Sequence, residues 1–210
     1  MVMPDRSVRA DVSPDVVVPT GSKKLAVLGG EPAFGSQVYV GTPNQPNRER
    51  LFARFNEVLD RNWLSNFGPC NHAFSREIRR QTGVKHAIPV TNGTIGLELA
   101  IRALGLSGEV IVPSFTFVAT AHALQWQGVT PVFCDVNPET HCIDPECITR
   151  AITPRTTGII GVHLWGHPCD VDEIKRIAAD HNLRVIYDAA HAYGTAHAGT
   201  PIGNFGDAEV

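Results

Sequence analysis

Three short stretches hold residue types that could do chemistry together. Thr91-Asn92-Gly93-Thr94 lies between an apolar run and a helical pattern whose first turn holds Thr94, Ile95 and Gly96. Gly93 allows a sharp turn, and the exposed N–H groups of a helix start favour an anion such as phosphate. The same residues would also make an ordinary turn with a threonine N-cap. Asp188 directly follows the apolar run Val185-Ile186-Tyr187. A carboxylate there is partly desolvated and needs a positive partner: a structural arginine, a metal, or a protonated ring nitrogen of a ligand. His191, three residues on, could hydrogen-bond the same ligand. Phe115-Thr116-Phe117 follows Val112-Pro113. One of its rings could lie flat on a planar ligand, while Phe115 is expected to fill core.

For these stretches to act together, the fold must end several strands side by side. The pattern supplies that. Apolar runs with strand character cover His86–Val90, Val110–Val112, Pro131–Cys134, Gly158–Val162 and Arg184–Tyr187. Helical patterns cover Thr94–Leu104, Val118–Gln127, Pro145–Ala151 and Val171–His181, and an earlier helix is expected over Asn71–Thr82, stopped by Gly83. Strands that are apolar throughout, separated by helices, indicate a parallel sheet covered on both faces. Ligands bind beyond the carboxyl ends of such strands. That singles out the loops Thr91–Thr94, Pro113–Phe117, His163–Pro168 and Asp188–Gly194. The first 45 residues are rich in Pro, Gly and Ser without a sustained period, and are expected to form a partly disordered arm. Leu51, Phe52, Phe55, Val58 and Leu59 then recur at helical spacing.

Composition excludes several classes. Of 210 residues, 43% are hydrophobic and 19% charged, and the formal net charge is -3. This is a globular composition without the basic face that nucleic acid requires. No run of 18 apolar residues suggests a membrane span, and the N-terminus lacks the apolar stretch of a signal peptide, so a cytoplasmic protein is expected. Cys70, Cys134, Cys142, Cys147 and Cys169 are odd in number and scattered, which fits reduced thiols; no Cys-x-x-Cys supports zinc, and no metal is expected. There is no G-x-x-x-x-G-K-[ST], no G-x-G-x-x-G and no G-x-S-x-G, which removes the usual signals of triphosphate hydrolysis, dinucleotide binding and serine hydrolysis.

Seven fragments in order resemble the sugar aminotransferases of the DegT/DnrJ/EryC1/StrS family. They are Val27–Pro32, Asn66–Pro69, Val90–Thr94, Val112–Thr120, Pro131–Val136, Val162–Gly166 and Asp188–Gly194. The resemblance implies the three-layer α/β/α large domain of the fold-type-I transferases over residues 46–210, with a mostly parallel sheet that is incomplete here and no C-terminal small domain. It implies the cofactor pyridoxal 5′-phosphate (PLP). Gly93, Thr94 and the Ile95 amide would cradle its phosphate, Phe117 would stack on its ring, Asp188 would keep the ring nitrogen protonated, and His191 would sit near the phenolic oxygen. It also implies a nucleotide-linked keto-deoxysugar as substrate, glutamate as amino donor, a homodimer for the intact enzyme, and Asn66-Phe67-Gly68 on the substrate side.

The same resemblance places the family's Schiff-base lysine downstream of Gly203-Asn204-Phe205-Gly206-Asp207, beyond Val210. None of Lys23, Lys24, Lys85 and Lys175 matches it. The chain is therefore expected to be a fragment that does not turn over by itself. A histidine at the lysine position would make the parent a keto-sugar dehydratase, and a third expectation is a non-catalytic remnant.

Overall fold

The computed structural model describes residues 24–36, 39 and 44–210. Most of the expected 1–45 arm, Lys23 included, lies outside the described residues. The chain divides into two compact units, Met1–Glu57 and Val58–Val210. In the first, a 3₁₀ turn at Ala26–Leu28 ends on Gly29 at φ 87°. Helix α1 (Arg48–Asp60) begins there and carries its apolar residues at helical spacing without burying any of them.

The second unit holds the alternating pattern. Helix α2 (Pro69–Thr82) starts two residues before the sequence pattern suggests, because Pro69 occupies the first helical position, where its missing N–H is not needed. Gly83 ends α2 at φ 78°, its N–H reaching Arg79 O. Then come α3 (Gly93–Ala103), β1 (Glu109–Pro113), α4 (Ala119–Trp126), β2 (Thr130–Cys134), α5 (Pro145–Ala151), β3 (Thr156–Val162), α6 (Val171–His181) and β4 (Arg184–Asp188). A hairpin of β5 (Ala196–His197) and β6 (Thr200–Pro201) precedes β7 (Ala208–Glu209). Asp144 and Asp170 cap α5 and α6 by accepting from the Glu146 and Glu173 amides, at 2.9 and 3.1 Å.

Five strands form a parallel sheet in the order β2-β1-β3-β4-β7. Alternate side chains feed two cores. Val110, Val112, Ile160 and Ile186 pack with Leu97 and Ile101 of α3 and Ala123 and Leu124 of α4. Ile111, Ile159, Val185 and Tyr187 pack with Ile148 of α5 and Ile174 and Ile177 of α6. Both faces of the central strands are covered, which is why the middles of β1, β3 and β4 are continuously apolar, while the edge strand β2 leaves Phe133 exposed. Gly161 stands opposite Tyr187 in the ladder, and a β-carbon there would lie 2.7 Å from Tyr187 Cε1. The strand ends are level: Pro113 pairs with Cys134, and Val162 with Asp188.

His86–Val90, expected as a strand, is not one. Among the described residues it runs beside no neighbouring strand, Ile88 is 83% exposed, and Ala87 O accepts instead from the Ser75 hydroxyl. A strand needs a partner for its ladder, and apolar residues alone do not supply one. Among the described residues, no helix is long and apolar enough to cross a membrane.

His163, just past β3, is fully buried. Its ring stacks on Tyr187 at 4.6 Å between centroids and 17° between planes. Nδ1 accepts from the Cys169 amide at 3.0 Å, and Nε2 has no partner among the described residues. Burial, with a smaller contribution from His197, pushes the imidazole from its ordinary 6.5 down to about 4.

Two outcomes follow from this packing. Ile186→Ala should cost about 2–5 kcal/mol through the lost methylenes and the cavity, seen as a lower urea midpoint with unchanged slope. For His163, the folded state refuses a proton that the unfolded chain accepts. Its contribution to stability is whole above about pH 6.5 and falls as the pH drops from 6.5 toward 4, by up to about 1.4 kcal/mol per pH unit. Urea midpoints of His163→Leu across that range should lose this part of the slope.

Candidate active site at the carboxyl ends of the strands

Asp188 is the last residue of β4 and is only 9% exposed. Its side chain makes two hydrogen bonds. Oδ1 accepts from the Ala190 amide at 3.2 Å, and Oδ2 accepts from the Thr120 hydroxyl at 2.9 Å. Among the described residues it has no ion pair, which removes the structural arginine as its partner. The contrast with Glu109 is direct. That buried carboxylate sits at the amino end of β1, bonded to the Thr153 hydroxyl and paired with Arg155, and these two partners hold it below its ordinary range. Asp207, also near β4, has Arg184 at 3.0 Å. Asp188 alone of these three is left without a cation. No group of three or more His, Cys, Asp or Glu among the described residues is arranged to hold a metal.

The start of α3 is drawn to the same end of the sheet. Gly96 packs so close to Val210 that a β-carbon would lie 2.5 Å from its Cγ1. Val210 in turn donates to Tyr187 O at 2.9 Å and accepts from the Ala189 amide at 2.7 Å. The residues on either side of Asp188 are thus tied through Val210 to the first turn of α3. The cap of that helix is Asn92 rather than a threonine. Its Oδ1 accepts from the Ile95 amide at 2.9 Å. The Ile95 amide is therefore already occupied, and the Gly93 and Thr94 amides are the ones that donate to nothing among the described residues.

The loop after β1 carries the aromatic residues. Phe117 is 70% exposed, and its carbonyl accepts from the Thr120 amide at 3.1 Å at the start of α4. Phe115 does not fill core. It is 47% exposed, and packs edge-on against Trp165 at 5.8 Å and His141 at 6.1 Å. The reason is position: it follows the end of β1 at Pro113 and so lies outside the strand. His191 is exposed in the loop after β4, and its Nδ1 accepts from the Trp165 amide at 3.4 Å. With Nδ1 accepting, the ring presents Nε2–H as a donor that has no acceptor among the described residues. Trp165 itself has left-handed backbone, φ 52° and ψ 27°.

Two participants were not singled out from sequence. Thr120 is fully buried and touches Asp188 across 68 residues of chain, and Thr116 touches Thr120 at 2.9 Å. Only their place in the fragment after Val112-Pro113 hinted at them. Asn66-Phe67-Gly68 lies in the turn before α2, with Phe67 at φ 58° and exposed. Lys85 and Lys175 are both exposed, the latter on α6, whose buried residues pack on the face opposite α3 and α4.

The arrangement offers a lone buried carboxylate, two free amides at a helix start, an exposed ring and a histidine donor along one edge of a parallel sheet. The chain is 41% identical over 155 residues to the dTDP-4-amino-4,6-dideoxy-D-glucose transaminase of Escherichia coli, covering 74% of this chain and 42% of that one. It is 40% identical over 167 residues to the GDP-perosamine synthase of Escherichia coli O157:H7, covering 79% and 45%. Its fold is similar to DesI solved in the presence of its TDP-sugar product, with a TM-score of 0.81 and 49% identity over 88% of this chain and 47% of that one. It is also similar to NtdA from Bacillus subtilis with bound cofactor PMP, with a TM-score of 0.69 and 36% identity over 72% and 35%. The chain spans less than half the length of these relatives. Residues 45–210 match the family model throughout, and the chain belongs to the DegT/DnrJ/EryC1/StrS aminotransferase family.

Proposed function

We propose that residues 46–210 are the PLP-binding large domain of a nucleotide-sugar aminotransferase. The observation that carries this is Asp188, a buried carboxylate at the end of β4 without a cation among the described residues. A pyridinium N–H fits it: the charge is compensated, and lone pairs remain after the Thr120 and Ala190 donors are counted. When bound, PLP supplies an electron sink, and a protonated ring nitrogen makes that sink stronger.

This chain's residues would then act as follows. Asp188 holds the proton on the ring nitrogen. The Gly93 and Thr94 amides, with the positive end of α3 behind them, take the phosphate. The Ile95 amide serves the turn through Asn92, so Ile95 borders the phosphate rather than binding it first. Phe117 offers its exposed face to the ring. His191 donates from Nε2 toward the phenolic oxygen. No Schiff-base role is assigned to Lys24, Lys85 or Lys175.

The reading includes a nucleotide-linked keto-deoxysugar as substrate, glutamate as amino donor, a homodimer as the working assembly, and a cytoplasmic location without nucleic-acid or membrane partners. The relatives carry the names of a dTDP-sugar transaminase and GDP-perosamine synthase, which supports amino transfer to a nucleotide sugar over dehydration.

Pyridoxamine 5′-phosphate (PMP) tests the site without requiring any lysine. Asp188→Ala should weaken PMP binding, followed by its fluorescence, by about 2–5 kcal/mol, because the pyridinium loses its buried partner. Binding within about twofold of the unaltered protein would instead indicate a site for some other phosphorylated ligand.

A further inference from the structure

We infer that Thr120, oriented by Thr116, is a positioning residue that fixes the Asp188 carboxylate for the cofactor ring. The inference rests on the reading of Asp188 as the partner of the ring nitrogen, and concerns how that carboxylate is held.

The direction of the hydrogen bonds is set by counting protons. Thr120 Oγ1 lies 2.9 Å from Asp188 Oδ2 and 2.9 Å from Thr116 Oγ1. An ionised carboxylate only accepts, and a threonine hydroxyl has one proton. Thr120 must therefore donate to Asp188, and so must accept from Thr116. The relay runs Thr116 to Thr120 to Asp188, and each bond polarises the next in a buried setting. Thr120 has no exposed surface, so water does not substitute for either contact.

The relay also fixes geometry. Asp188 Oδ1 is held from the loop after β4 by the Ala190 amide, and Oδ2 from the first turn of α4 by Thr120. Two donors on different oxygens, from different elements, stop the carboxylate from rotating. The Thr120 amide donates at 3.1 Å to the carbonyl of Phe117. The turn that holds the carboxylate thus also carries the ring proposed to stack on the cofactor, so one piece of backbone sets the position of both. Ala123 and Leu124, in the following turn of α4, have no exposed surface and anchor that turn to the sheet.

The test uses the intact protein, with PMP labelled with nitrogen-15 in its ring, read by affinity and by the ring-nitrogen NMR signal. Thr120→Val keeps the side-chain shape and removes the proton. It should weaken PMP by on the order of tenfold or more and move the ring signal toward the unprotonated form. Thr120→Ser should restore both to within about threefold, since only the hydroxyl is needed. Thr116→Val, at a half-buried position, should cause a smaller loss, and should add nothing in a chain that already carries Thr120→Val, as expected for residues acting through one relay. A folded Thr120→Val that binds PMP within about twofold with an unchanged ring signal overturns the inference, and so does a double variant whose loss is the product of the two single ones. If Thr120→Val does not fold, Thr116→Val decides alone: an unchanged affinity and ring signal overturn the relay. Asp188→Ala separates the two ideas. If it too leaves PMP binding unchanged, the cofactor reading itself fails.

Discussion

Asp188 sets a carboxyl side chain in a position where water reaches 9% of the residue, and that side chain's hydrogen-bond partners among the described residues are a hydroxyl and an amide. Desolvating a carboxylate costs several kcal/mol unless a positive charge offsets it. Glu109 shows how this chain handles the same problem when only stability is at stake: it places Arg155 beside the carboxylate. At the opposite end of the sheet that compensation is withheld. Among the described residues the Asp188 side chain has neutral donors alone, an arrangement in which a positive charge would be favourable.

The surrounding structure keeps that side chain in place. The level ends of β1, β2, β3 and β4 bring the loops after β1, β3 and β4 to one edge. The core between the sheet and α3 and α4 seats Thr120 beneath the carboxylate, and the close approach of Gly96 to Val210 ties the first turn of α3 to Tyr187 and Ala189. The core on the other face holds His163 against Tyr187 and keeps β3 and β4 close through Gly161. The two faces divide the labour. One positions the groups that would touch a ligand, and the other makes the adjoining strands rigid.

Legibility in the sequence followed the range of the forces involved. α5 and α6 occupy the residues that the local pattern indicates, and the structure adds their caps Asp144 and Asp170, because helical periodicity and capping act within a few residues. β1 to β4 were legible within two residues, because each carries a short run of apolar residues, continuous through the middle of the central strands where both faces are buried. His86–Val90 has the same texture but no partner strand among the described residues, so it is not part of the sheet there. The two-residue strands β5, β6 and β7 carry no usable period. The loop before β7 is folded by the Glu209 carboxylate, which accepts from the Gly203 and Phe205 amides at 2.6 Å.

For the site, the sequence by itself determined the residue types: a carboxylate at the end of an apolar run, a glycine turn before a helix, aromatic residues after another run, and the family these fragments belong to. These are properties of contiguous stretches. The tertiary structure decided their relations. It showed that among the described residues Asp188 has no cation and leans on Thr120, that Asn92 uses the Ile95 amide while those of Gly93 and Thr94 find no acceptor there, and that Phe115 packs with Trp165 and His141. Such facts depend on residues up to 68 positions apart being brought within hydrogen-bond distance by strand pairing and helix packing. A desolvated charge has no meaning along a chain, since burial exists only once the chain has folded.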